Sequence, residues 1–207
     1  DYLETLIQGF AQSDVVFFGY HQVAMDGEWL GVHSPSVSQE SGYFDMLVQL
    51  HTQDMFGYTW IKAFRRNVIG THRFSKDLNL LEDEVFACEV LTEQRRIAVL
   101  PNPLYNYVIG NAGSLVGRTH TDYCSKVDIA YNAWKRLLKS YEKKDEVLAD
   151  MANAHVNRCM YYGFERNVVV KVFFSCFASC DFFRDSTLNN GFCTCVEVKN
   201  YKKLSRM

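Results

Sequence analysis

Leu3, Leu6, Ile7 and Phe10 recur at intervals of three and four along the opening segment Tyr2 to Gln12. That spacing predicts an amphipathic helix with the stripe turned to a core. Ser13-Asp14 breaks the pattern, and the β-branched and aromatic run Val15 to Tyr20 predicts a buried strand. Asp26-Gly27 carries the signal of a tight hairpin that returns through Trp29 to Val32. Beyond a polar, proline-containing loop from Ser34 to Ser41, Phe44, Leu47, Val48 and Leu50 predict a short helix over Tyr43 to Gln53. Gly57 to Arg66 reads as a strand entering a short helix, and Thr71 to Leu81 as irregular chain. Glu82 to Glu93 predicts a helix with carboxylates in its first turn, where the helix dipole favours them. Ile97 to Leu100 and Leu104 to Val108 read as two short strands, because Pro101 and Pro103 argue against one continuous central strand.

The pattern changes near residue 120. Val127, Ala130, Tyr131, Trp134, Leu137 and Leu138 predict a long amphipathic helix over Tyr123 to Ser140. Glu146 to Tyr162, Val168 to Phe183 and Cys195 to Leu204 read as further helices. Lys171 and Asp181 interrupt the most apolar of these, which falls short of the roughly 20 residues a bilayer span needs. A buried helix is its ordinary reading, and a helix lying on a membrane surface the other. The fold class is therefore α/β: a mixed part over residues 1–120, then a helical region over 121–207.

A chain of 207 residues with 48% hydrophobic and 22% charged residues can bury a substantial core and has the composition of a globular protein. Its net charge of −2 lacks the basic excess that nucleic acid would call for. Seven cysteines (Cys88, Cys124, Cys159, Cys176, Cys180, Cys193 and Cys195) form no secreted-domain framework and no Cys-x-x-Cys pair. They read as core thiols in a reducing, cytosolic setting, with a zinc site the less favoured alternative. His51, His72 and His155 share no ligand spacing, and His120 reads as a surface histidine.

Four segments taken together carry a resemblance. They are Trp60-Ile61-Lys62-Ala63-Phe64-Arg65-Arg66, Leu81-Glu82-Asp83-Glu84-Val85-Phe86, Pro103-Leu104-Tyr105-Asn106-Tyr107 and Gly113-Ser114-Leu115. In this order they resemble the C-terminal, acceptor-side part of inverting family 2 glycosyltransferases with the GT-A fold, of the bacterial cell-surface polysaccharide type. Ile61 stands where Asn or Gly is common, and Leu81 where Gly is common. The resemblance covers residues 1–118. Asp1-Tyr2-Leu3 and Ser13-Asp14-Val15-Val16 resemble the tail of the family's metal-holding segment and the strand after it. The chain then starts in mid-fold, without the half that cradles the nucleotide, and Val15 to Phe18 is expected beside an open apolar face.

The resemblance implies a partial GT-A-like mixed sheet and transfer of a sugar from a nucleotide-sugar donor to a glycan or lipid-linked acceptor. Asp83 is the expected general base, with Glu82 orienting it or the acceptor. Without the resemblance, the same carboxylates read as capping and dipole matching. Lys62 and Arg65 are expected at a diphosphate or an acidic acceptor, with a surface ion pair the other reading of Lys62. Trp60 is expected against a sugar face or in the core. A divalent metal, Mg or Mn, belongs to the intact enzyme and is not assured by these residues. The isolated chain is expected to be inactive, cytoplasmic at the inner face of the plasma membrane, in peripheral contact with it, and self-associating through its incomplete domain. The alternative is a non-catalytic interaction or scaffold domain derived from such an enzyme.

Overall fold

A computed structural model describes residues 1–38, 40–110 and 119–166. At its centre is β1 (Val15–Val23), whose first four side chains, Val15 to Phe18, are essentially inaccessible. The strand expected at an open face is thus the most deeply covered one. It is paired along both edges. On one edge β2 (Trp29–His33) runs antiparallel to its second half and β3 (Lys62–Phe64) antiparallel to its first. On the other edge β4 (Ile97–Val108) runs parallel along its whole length, so the four-stranded sheet is mixed. Gly19 marks the gap between β2 and β3. A Cβ there would lie 2.5 Å from the carbonyl oxygen of His33, closer than any side chain allows.

The two predicted strands on either side of Pro101-Asn102-Pro103 are one strand. Its register against β1 slips around Gly19, which lies opposite Pro103. A bulge at an outer strand tolerates prolines because the missing N–H groups interrupt no further ladder. No other described strand pairs with β4.

Helices cover this sheet. They are α1 (Tyr2–Gly9), α2 (Tyr43–Thr52), α3 (Arg66–Ile69), α4 (Glu82–Leu91), α5 (Tyr123–Leu137) and α6 (Lys144–Arg166), with a 3-10 turn at Thr59–Ile61. Asp1 starts α1 by accepting a hydrogen bond from the Leu3 N–H at 3.0 Å. The predicted stripe of α1 is only half used. Leu6 is buried, whereas Leu3 and Ile7 are 63% and 70% exposed. The element types elsewhere follow the sequence pattern. The helices expected at Val168 to Phe183 and Cys195 to Leu204, the four cysteines within 176–195 and the Gly113-Ser114-Leu115 turn lie outside the described residues.

The sequence break at residue 120 does not divide the core. One buried cluster joins Phe17, Phe18, Leu47, Phe56 and Leu91 with Ala130, Trp134, Leu137 and Leu138 of the helical region. Burying each such side chain stabilises by about 1.5–3 kcal/mol, so α5 is part of the structural foundation of the α/β layer. No helix among the described residues is long and apolar enough to cross a membrane.

Candidate functional site

The N-terminus of α4 borders a cavity of about 370 Å³. Leu81, just before that helix, holds a left-handed conformation (φ 62°, ψ 13°) and offers no side-chain cap. This is the position where the resembling family favours glycine. A leucine there is strained by about 1–2 kcal/mol, and the kink sends Glu82, Asp83 and Glu84 to the cavity wall. Asp83 Oδ2 accepts a hydrogen bond from the Thr59 N–H at 3.1 Å. Its other oxygen accepts none among the described residues, which leaves a held carboxylate with one open acceptor.

Glu84 is nearly inaccessible at 5% exposure. Its Oε1 accepts from Trp134 Nε1 at 2.7 Å and lies 3.5 Å from His51 Nδ1. Burial depresses the His51 pKa more strongly than the Glu84 charge raises it, so the imidazole is held towards its neutral form. Beneath the cavity Lys62 is buried, donating its ammonium to the Tyr58 carbonyl and resting over the rings of Phe17 and Phe56 at 5.1 and 5.6 Å. Burial lowers its pKa to about 7 against the opposing pull of Asp83 and Glu84.

Aromatic rings form another wall. Trp60 stacks with Tyr107 at 4.8 Å between centroids and 2° between planes, and with Tyr58 at 5.0 Å. All three border the cavity. Tyr105 lies 4.9 Å from Trp60, and Tyr20 meets it edge-on at the same distance. Trp60 therefore packs among tyrosines and borders the cavity at once.

Asp83, Glu82 and Trp60 line one cavity, whereas Lys62 and Arg65 do not join them. Lys62 is neither a surface ion pair nor a cavity-lining cation; it is buried under the carboxylates. Arg65 donates through Nε to Ser13 O at 2.9 Å, donates to Phe10 O through Nη2, and lies 4.0 Å from Asp14. It ties the end of α1 to the start of β1 and does not line this cavity. His120 is 8% exposed rather than a surface group, with Nδ1 3.2 Å from Lys126 Nζ.

The structure also adds residues that the sequence reading passed over. Tyr58 stands at the start of the 3-10 turn, two residues before Trp60, and Tyr107, quoted above only as part of a motif, comes from β4. Asp54 follows α2 in the left-handed region (φ 55°), and Asn79 lies in the irregular segment. Arg158 arrives from α6, far along the chain, without any local signature.

Among the described residues no group of three or more His, Cys, Asp or Glu side chains converges as a metal site. Held carboxylates beside aromatic faces suit a polyhydroxylated ring, with hydroxyls to the acids and C–H groups to the rings. Comparison with protein-family models, curated proteins and solved structures finds no match to this chain.

Proposed function

We propose that the cavity is the acceptor site of an inverting, nucleotide-sugar-dependent glycosyltransferase with a GT-A-like fold. The observation that carries the reading is Asp83, fixed by the Thr59 N–H with an oxygen open to the cavity beside Trp60. As an acceptor hydroxyl attacks the anomeric carbon, a C–O bond forms, the bond to the nucleoside diphosphate breaks, and the hydroxyl proton passes to Asp83. A carboxylate suffices because the hydroxyl becomes acidic only as its oxygen bonds to carbon. Glu82, on the same helical turn, accepts from a neighbouring hydroxyl and orients the ring. The aromatic wall supplies the remaining positioning, which lowers the entropic barrier of a two-substrate reaction. Donors of this class place the reaction in the cytoplasm, with a glycan or lipid-linked acceptor at the membrane face.

The test is turnover of radiolabelled nucleotide sugars on glycan and lipid-linked acceptors by the natural full-length protein, with and without Asp83→Asn. The asparagine keeps size and the bond from Thr59 N–H but cannot take the proton. Turnover should fall roughly 10²–10⁴-fold with acceptor KM nearly unchanged. An Asn variant with undiminished turnover ends the assignment.

One observation favours a second role, as an interaction domain. Leu3 and Ile7, one turn apart on α1, are 63% and 70% exposed. If that face associates with another copy, Leu3→Lys with Ile7→Lys should shift the sedimentation profile to monomer and leave Asp83-dependent turnover intact.

A further inference from the structure

Three cations named above have their charges engaged, and Arg158 is the one Lys or Arg side chain among the described residues that lines the cavity. Lys62 is buried and bonded to the Tyr58 carbonyl. Lys126 pairs with Asp122 at 2.8 Å, bonds to Asn79 Oδ1 and contacts His120. Arg65 is held by Ser13, Phe10 and Asp14. Arg158 lines the same cavity as Asp54, Glu82, Asp83 and Glu84 and makes an ion pair with none of them.

The position of Arg158 is set by the helix that carries it. His155, Arg158 and Tyr162 are spaced by three and four on α6 and share a face. Tyr162 stacks on Tyr123 of α5 at 3.9 Å between centroids and 3° between planes, and Cys159 is buried beside Val127. These contacts fix the turn from which Arg158 extends. The guanidinium charge is felt by four groups: it adds to the burial that lowers the pKa of His51 and His155, and it opposes the burial that raises the pKa of Tyr58 and Tyr123. Two imidazoles and two phenols therefore lie within reach of its charge. A guanidinium matches the paired oxygens of a phosphate or carboxylate, and the Tyr58 hydroxyl at the same cavity can donate a further bond.

We infer that Arg158 forms an oxyanion subsite in this cavity, so that the bound ligand carries a phosphate or carboxylate substituent together with its hydroxyl-bearing ring. The ring lies by Asp83 and Trp60, and the anionic group lies by Arg158. This deepens the acceptor reading above and rests on it for the ring, but the subsite itself is open to measurement by binding alone. The helical region then supplies specificity as well as core.

Isothermal titration of the intact chain with inorganic pyrophosphate, D-glucuronate and D-glucose tests the inference. Pyrophosphate or glucuronate should bind saturably and more tightly than glucose, and whichever of the two binds identifies the oxyanion. Arg158→Gln should weaken that binding roughly 10- to 100-fold, the usual scale for a lost charge-assisted pair, and Arg158→Lys should recover part of it. Oxyanion binding that survives Arg158→Gln in full, or no preference over glucose, overturns the subsite. Those outcomes leave the transfer reading standing, since that reading is judged on the turnover of Asp83→Asn. Arg158 is exposed on its helix, and an unchanged melting curve establishes that Arg158→Gln folds.

Discussion

The indole N–H of Trp134 in α5 donates to Glu84 Oε1 in α4 at 2.7 Å, and both side chains are buried. The bond joins the helical region to the helical turn that carries Asp83. It also satisfies a carboxylate that burial would otherwise penalise. Trp134→Phe keeps most of the ring and deletes the donor, leaving Glu84 with His51 at 3.5 Å. Stability should fall by about 1–3 kcal/mol in chemical denaturation. Glu84→Gln, whose amide oxygen still accepts from the indole, should cost less. Equal losses in the two variants would show that the bond is not the source.

Leu81 makes a prediction that reverses the usual order of small residues. Its φ of 62° suits glycine, while its side chain packs partly into the core. Leu81→Ala loses the packing and keeps the backbone strain, whereas Leu81→Gly loses the packing and relieves the strain. Glycine should therefore be the more stable of the two variants by about 1 kcal/mol. Away from positive φ, alanine is normally the better residue. Urea titration of the pair decides it.

Burial first, then the charges of Arg158 and His51, depress the His155 imidazole from 6.5 to about 4. In the unfolded chain it titrates at its ordinary value, so between pH 6.5 and 4 the unfolded state binds the extra proton. Stability is intact above that window, falls as the pH drops through it, and levels off below. The contribution of this residue is about 1–3 kcal/mol after allowance for solvent. His155→Gln should flatten this part of the pH profile measured by thermal melting. In Arg158→Gln the imidazole should titrate higher, read by NMR. The Asp14 carboxylate, lowered to about 2 by its hydrogen bond and ion pair with Arg96, loses its contribution only between about pH 4 and 2. The two effects are therefore separable.

Lys62 is a charge held at a cost. Its folded pKa of about 7 is below the ordinary 10.5, so from about pH 7 to 10 the unfolded chain binds the extra proton and stability rises with pH. Lys62→Met fills the same space beside Phe17 and Phe56 without that penalty. It should raise stability near neutral pH by roughly 1–4 kcal/mol. It also removes the positive charge under Asp83 and Glu84, so turnover should fall even as the protein gains stability. A variant less stable than the parent at pH 7 would count against this account.

The linear pattern alone determined the kinds of elements present. The apolar run at Val15, the Asp26-Gly27 turn, the carboxylates opening the helix at Glu82 and the long stripe around Trp134 each depend on neighbours within a few residues, so they were legible. Contacts between distant segments decided the rest. Whether Pro101 and Pro103 end a strand depends on which edge that strand occupies, and β1 sets that by pairing in parallel across a slipped register. Likewise, a motif places Lys62 and Arg65 in sequence but does not say what packs around them. Phe17 and Phe56 enclose one, and the end of α1 takes up the other. Arg158, in a stretch with no motif, is brought to the cavity because α5 and α6 pack there. A cation's role depends on the carboxylates, carbonyls and rings opposite it. Those partners are contributed from across the chain, so only the tertiary structure could choose among them.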